Sequence, residues 1–528
     1  MKKKISPKNK DYYENILPVI ENLKKNNLIN SYLGNKGYSI YKVSLNDKII
    51  NFIKKELTVK PFMQGSLVEP ETFAVYMESD KKIYVPRFWG INIFGNPKII
   101  KISFGKPLNL KFNGELRDYQ ENVLNSYLKA INFGSKEEEN SEGSALIELW
   151  TGAGKTVLAL KIIECVKKKT IIFVHKTFLK NQWIERIKEY LPDARIGTIQ
   201  GQVIDIEEKD IVIGMIQSIS MKSYPDSIFE DFGLSIYDEC HHISSQTFSN
   251  CLRKCNTLYS LGLSATMNRK DGLTSVFKMY LGDICNKQKQ KVQEDNVLVK
   301  AIDYIVLDDD EYNEVERDFR GNVKHTTMLS RVSKFDYRSD FIINIIENEL
   351  KINKEQQIIL LGHQKNLLNY IYKAVELKNL TSVGYYIGGM KEKDLKVSES
   401  KQLILATYAM AAEGLDIPSL TTLILATPKS DIVQSVGRIL RAKHSKPLII
   451  DIIDQHDCFL NQFNKRKAFY NEKNYKIIRT NNEKYIDYIK YIRNEVEFEE
   501  EEIWKEVVPK IKGKNKKNES ENKCLIKI

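Results

Sequence analysis

Residues 145–156, A-L-I-E-L-W-T-G-A-G-K-T, constrain this chain more than any other stretch. Ala145, Leu146, Ile147 and Leu149 form an apolar run of strand character. The run breaks at a turn of small residues, and residues 157–163 then have helix character. Gly152 and Gly154 let the backbone curl until several N–H groups face one oxyanion beside the positive end of a helix. Lys155 suits the β- and γ-phosphates of a nucleotide, and the Thr156 hydroxyl suits Mg²⁺. The fuller pattern, G-x-x-x-x-G-K-T, opens with a glycine where this chain has Leu149, so the match is to the looser T-G-x-G-K-T form. The segment Leu149, Trp150, Thr151, Gly152, Ala153, Gly154, Lys155 and Thr156 is the expected phosphate-binding loop.

The chain downstream of the loop agrees with that reading. Short, wholly apolar strands at 170–174, 211–213, 234–237 and 258–263 alternate with helices, the pattern of a parallel sheet covered on both faces. Ligands of such sheets gather at the carboxyl ends of the strands. Asp238 and Glu239 directly follow one strand, where Asp238 can hold the metal and Glu239 can polarise an attacking water. Ser264 and Thr266 cap the next strand and offer two hydroxyls. Upstream, Gln120 opens a helix just before the nucleotide segment, and its amide can donate to and accept from the edge of adenine together.

A second alternating set begins near Val297, with strands at 358–361, 383–387, 402–406, 422–426 and 448–452 and no phosphate loop of its own. In its segment 434–441, Q-S-V-G-R-I-L-R, Arg438 and Arg441 share one helical face. Paired guanidinium forks suit the charge spread over a transferring phosphoryl group. Residues 1–112 carry no such pattern. Helices are expected at 12–28 and 51–57, and a strand-like run at 72–94 interleaves aromatics with Lys81, Lys82 and Arg87. That run suits either nucleic-acid contacts or an ordinary aromatic core. Residues 113–296 and 297–460 are then two α/β domains, and 461–528 a helical extension ending in a basic tail.

Composition narrows the class. A chain of 528 residues with 42% apolar and 28% charged residues is long enough for several globular domains. It has no apolar run that would span a bilayer and no signal-peptide pattern after its basic start. Seven scattered cysteines without a C-x-x-C pair fit a reducing compartment, so an intracellular protein, cytoplasmic or nuclear in the cell where it works, is expected. A net charge of +12 favours a polyanionic partner.

The ordered set L-R-D-Y-Q, T-G-A-G-K-T, D-E-C-H, S-A-T, A-E-G-L-D-I-P and Q-S-V-G-R-I-L-R, across residues 112–456, resembles the superfamily 2 DExH-box helicases. The segments 175–183, 211–219 and 262–273 resemble the branch of phage UvsW, eukaryotic XPB and the poxvirus transcript-release helicase, and Y-V-P-R-F-W-G resembles members from large DNA viruses. The resemblance implies two tandem RecA-like domains with parallel sheets, beside a small α+β N-terminal domain. It implies ATP and Mg²⁺ as cofactors and hydrolysis coupled to movement on, or unwinding of, single- or double-stranded DNA or RNA. Lys155, Asp238, Glu239, Gln434, Arg438 and Arg441 would be catalytic, with Gly414 and Asp416 near the nucleotide. His241, Ser264 and Thr266 would couple hydrolysis to motion, and Thr177, Gln182, Gln217 and Thr407 would touch the nucleic-acid backbone. His175 and Met267 stand where the family usually has proline, beside the chemistry and not in it. The setting expected is viral transcription or replication, with proteins of those processes as partners, no membrane and, for a viral chain, packaging in the virion. The competing expectation is a nucleic-acid-stimulated ATPase that remodels or senses without separating strands.

Overall fold

The computed structural model describes residues 7–62, 70–136, 140–241, 246–267, 271–288, 297–414, 417–439, 447–492 and 503–507. The chain divides into two compact units, residues 1–291 and 292–528.

The first unit is built on an eight-stranded sheet. Its order is Val203–Asp205, Ile196–Gln200, Ile211–Met215, Thr170–Val174, Leu234–Tyr237, Tyr259–Ser264, Ser144–Leu149 and Ile284–Gln288. Every pairing but the one at the Val203–Asp205 edge is parallel. The central strands are buried along their whole length, which is why they read as unbroken apolar runs. Register sets the site: Tyr237 lies opposite Phe173 and Gly262, and Ser264 opposite Glu148. The residues that follow these strands therefore emerge along one edge.

Before this sheet comes a smaller one, ordered Met77–Glu78, Lys82–Val85, Gly37–Tyr41, Ser31–Gly34 and Ile99–Ile100. One face, with Leu33, Tyr38, Ile40, Ile83 and Val85, is buried, and most of it packs against Ile49, Phe52, Trp89 and Phe94. Here the strand-like reading of 72–94 is corrected. The strand stops at Val85, and Arg87–Phe94 is a helix opening after Pro86, whose ring fixes φ and provides no N–H for a ladder. Gly90 lets that helix lie on the sheet, since a Cβ there would stand 2.4 Å from the Tyr38 ring. Arg87 is not a surface cation. It is buried, donating from Nε to Ser141 O at 2.8 Å and from Nη1 to Thr257 O and Leu258 O at 3.2 and 3.1 Å. Burial brings its guanidinium down to about 10. It pins the small sheet's helix to the loops that lead into two strands of the large sheet.

The second unit holds another eight-stranded sheet, ordered Val383–Tyr386, Leu403–Thr407, Gln357–Gly362, Leu420–Leu425, Leu448–Asp454, Leu298–Tyr304, Lys476–Asn481 and Lys505–Glu506. The region expected to be a helical extension contributes two of these strands. Lys476–Asn481 pairs parallel with Leu298–Tyr304, and Lys505–Glu506 adds an antiparallel edge. Helices Asp457–Glu472 and Asn482–Ile492 account for the helical character. The basic tail at 511–528 lies outside the described residues.

Candidate nucleotide and coupling site

The phosphate loop leaves the buried strand Ser144–Leu149 and enters the helix Lys155–Val166. Gly152 and Gly154 have φ of 86° and 70°, the left-handed region that glycine enters without strain. Gly154 stands at the N-cap, so no side chain caps the first helical N–H groups. A Cβ at Gly152 would meet nothing within 4 Å, so the loop opens onto free space. Uncapped N–H groups beside an ammonium, facing open volume, are a donor set that fits a polyphosphate.

The helix Asp118–Ala130 braces the loop from behind. Tyr119 donates its hydroxyl to Ala153 O at 2.8 Å, and its ring lies 4.9 Å from that of Trp150. Gln120 is buried; its Nε2 lies 3.1 and 3.2 Å from Ala153 O and Gly154 O, and its Oε1 accepts from Arg117 N at 2.9 Å. A Cβ at Gly154 would come within 2.6 Å of that Nε2. Gln120 thus sits under the loop with both amide hydrogens directed at loop carbonyls.

Asp238 and Glu239 follow the strand Leu234–Tyr237, in the same sheet. Asp238 is held on both oxygens, by Trp183 Nε1 at 2.9 Å and by Glu239 N at 3.0 Å. Burial pushes its carboxyl above the ordinary range, the Glu239 charge adds to this, and the Trp183 donor and Lys155 ammonium partly offset it. Glu239 has φ of 47°. That conformation costs a residue with a side chain on the order of 1–3 kcal/mol. It aims the carboxylate back to the loop, with Oε1 3.8 Å from Lys155 Nζ.

The other Glu239 oxygen enters a network. Oε2 lies 3.3 Å from His241 Nδ1 and 3.4 Å from Ser264 Oγ, which itself stands 2.8 Å from His241 Nδ1. Thr266 joins through its main chain: its N–H donates to Ser264 Oγ at 3.1 Å, and its carbonyl lies 2.9 Å from that hydroxyl. Its side chain is exposed. Lys155, Glu239, His241, Ser264 and Thr266 therefore form one connected chain of contacts.

Of the residues expected at nucleic acid, Thr177 is exposed at the start of the helix Thr177–Tyr190, and Gln182 is half-buried on it. Gln217 Nε2 donates to His175 O, tying two strand ends together. His175 is buried, and burial followed by the Lys176 charge lowers its pKa. Thr407 ends the strand Leu403–Thr407 of the second unit, half-buried. Gly414 closes the helix Tyr408–Gly414; Gln434 and Arg438 lie on the helix Val433–Ile439, their side chains outside the described set. Asp416 and Arg441 lie outside the described residues.

Nothing in the sequence pattern singles out Trp183. With Leu179 and Ile187 it falls on an apolar helical face, which reads as core. Its indole N–H is the available signal, because a buried indole needs an acceptor.

Residues 113–269 match the family described as the res subunit of type III restriction enzymes, and 340–443 match the conserved C-terminal helicase domain. A protein of Acanthamoeba polyphaga mimivirus, named as a candidate ATP-dependent RNA helicase (L396), is 34% identical over 84% of this chain and 85% of its own. An African swine fever virus protein with the same kind of name, QP509L, is 26% identical over 64% of this chain and 70% of its own. Among solved structures, T4 UvsW aligns with 86% of this chain and 99% of its own at 16% identity, with a TM-score of 0.33. The mimivirus relative spans most of the chain, and the two matched regions contain the loop, the acidic pair and the helix that carries Gln434 and Arg438, in the order read from the sequence. This chain belongs to the superfamily 2 helicases, enzymes that hydrolyse ATP, in the group carried by large DNA viruses.

Proposed function

We propose that this protein is a helicase or translocase acting on RNA or DNA, with Lys155, Asp238 and Glu239 carrying hydrolysis and Gln434, Arg438 and Arg441 assisting it. The observation that carries this is the continuous contact from Lys155 through Glu239 to His241 and Ser264. It joins the phosphate loop to the strand end that precedes Thr266. In this reading the loop N–H groups and Lys155 hold the phosphates, and Glu239 orients the attacking water and takes its proton. Thr156 and Asp238 would hold Mg²⁺, which when bound supplies charge neutralisation at the phosphates. Two adjacent carboxylates, one buried and disfavoured as an anion, are chemically suited to such a cation. Gln120 acts on the nucleotide through the loop it braces; a direct adenine contact requires its amide to leave Ala153 and Gly154.

Gln434, Arg438 and Arg441 would stabilise charge on the transferring phosphoryl group. Thr177, Gln182, Gln217 and Thr407 would follow the nucleic-acid backbone, so binding should be largely independent of sequence and weaken with salt. The names of the mimivirus and African swine fever virus relatives favour RNA as the strand, and viral transcription or replication is the setting proposed here. Arg441→Ala should then reduce hydrolysis far more than ATP binding, and equal losses would remove it from the reacting group. ATPase activity measured side by side with single- and double-stranded RNA and DNA tests the substrate. Displacement of a labelled strand from a tailed duplex tests motion. Stimulated hydrolysis without displacement or translocation would replace this reading with that of a remodelling or sensor ATPase.

A further inference from the structure

The small sheet of the first unit has a second face, and it is not built like a core. Tyr32, Ser39 and Tyr84 are in register across three strands, and Tyr41 is opposite Lys82. By strand alternation these side chains oppose the buried Leu33, Tyr38, Ile40, Ile83 and Val85. Tyr32, Tyr41, Tyr84 and Lys82 are all part-exposed. Lys82 Nζ lies 5.0 Å from the Tyr32 ring centre and 4.7 Å from that of Tyr41, and it donates to the Tyr32 hydroxyl at 3.0 Å. Lys101 Nζ, from the end of the neighbouring edge strand, lies 4.9 Å from the same Tyr32 ring. Lys36 stands 5.9 Å from the Tyr84 ring centre.

Two ammonium groups thus converge on one tyrosine. Among the described residues, no carboxylate forms an ion pair with either. Glu78, on the adjoining strand, is taken by Lys42 and Lys54 at 2.7 Å each, and Asp226 stands 3.8 Å from Lys36. Like charges brought together without a counter-ion leave room for an anion between them. The Tyr32 hydroxyl is in keeping with this: burial works to raise it, yet hydrogen bonds from Lys82 and Ser39, followed by the charges of Lys82 and Lys101, bring it below its ordinary value.

We infer that this face, with Lys82 and Lys101 at phosphates and the Tyr32 and Tyr41 rings beside bases, is an accessory site for a single strand of nucleic acid. Aromatic rings interleaved with cations on an open sheet suit unstacked bases and a tracking backbone, which a paired duplex does not offer. The inference rests on the proposed nucleic-acid function and gives residues 1–112 a role in holding that substrate. Of the Lys81, Lys82 and Arg87 set that suited either nucleic-acid contacts or a core, it uses Lys82, whereas Arg87 is buried among carbonyls.

The test is fluorescence anisotropy of labelled oligouridylate and oligothymidylate with the full chain across a salt series. Lys82→Ala/Lys101→Ala should weaken binding roughly five- to tenfold, and the slope of log affinity against log salt should shrink by about 1.4, two phosphate contacts' worth on a single strand. Lys82→Arg/Lys101→Arg should restore most of both. Tyr41→Leu should weaken binding with little change of slope. Basal ATPase without nucleic acid should be unchanged in all of them, as should binding by a control pair, Lys188→Ala/Lys209→Ala, that removes the same charge elsewhere. A lysine double variant with wild-type affinity and slope, or one that loses only stability, would make the cluster an internal brace and overturn the inference. Equal losses for a blunt duplex would overturn the single-strand assignment. A wild-type chain that binds no nucleic acid would overturn the proposed function as well, which separates the two failures.

Discussion

The two large sheets bury acids in opposite ways. In the first unit Asp238 follows a strand and, among the described residues, its carboxylate accepts from neutral donors, the Trp183 indole and the Glu239 N–H, with the Glu239 charge beside it. In the second, Asp451 and Asp454 on the strand Leu448–Asp454 each receive both forks of a buried arginine. Arg466 donates to Asp451 at 2.8 Å twice, and Arg338 meets the two oxygens of Asp454 at 2.6 and 2.9 Å. Tyr470 and Tyr312 complete those groups, and Lys300 with Glu349 adds a third buried pair. A carboxylate already neutralised within the fold has little left for a ligand. One held in place by neutral partners remains open to a cation. The same architecture thus carries, in one unit, the acid we propose to be reactive and, in the other, acids neutralised within the fold, and the partner's charge makes the difference.

The strongest way to break this contrast is at the reactive side. Glu239→Gln should reduce turnover about 10²–10⁴-fold, the loss typical of a removed general base, and Lys155→Ala should abolish it. Circular dichroism should show both folded. Normal ATPase in either purified variant would remove the site from the first unit.

On the structural side, Asp454→Asn leaves the Arg338 guanidinium buried beside a neutral amide. The expected loss is about 3–5 kcal/mol of stability in denaturant titration. Below the transition, hydrolysis per folded molecule should stay near wild type. A variant stable to within about 1 kcal/mol of wild type would show that this pair is not what its burial suggests.

Trp183 joins core to proposed site within the first unit, because a core residue there holds the Asp238 carboxylate in place. Trp183→Phe keeps an aromatic ring and removes the donor to Asp238. Outer-shell donors of this kind are typically worth about 10–100-fold in metal affinity, so the Mg²⁺ concentration for half-maximal ATPase should rise about that much. An unchanged Mg²⁺ dependence would mean the indole only fills space.

Trp183 also marks the limit of what the chain's pattern discloses. Strand, glycine turn and helix are legible at 145–163 because phosphate binding needs exposed backbone at one spot, and only certain residues permit it. The acidic pair and Ser264 are legible because a parallel sheet delivers its strand ends to one edge. The orienting role of Trp183 is not, since its spacing is that of any buried helix face. The helix Arg87–Phe94 is hidden by aromatics that continue the alternation of the strand before it, and only Pro86 marks the break. The strand Lys476–Asn481 is short, partly charged and dependent on Leu298–Tyr304 for its pairing, so nothing local distinguishes it from the helices on either side.

The smallest expected effect is the one with an inverted sign. The Asp238 carboxyl is raised in the folded chain, so without a metal the folded state binds its proton more tightly than the unfolded state does. Its ionised form therefore opposes folding. The stability it adds is complete below the unfolded carboxylate pKa and is lost as pH rises through the higher folded value. Asp238→Asn removes that opposition while its side-chain oxygen can still accept from Trp183. At neutral pH, free of metal, the variant should unfold at a slightly higher temperature than wild type, although its ATPase is lost. The gain should vanish in acid, where wild-type Asp238 is itself neutral. Asp454→Asn, the same exchange in the other sheet, should move stability the opposite way. If both substitutions destabilise to the same extent, Asp238 is as structural as Asp454, and the contrast between the two sheets fails.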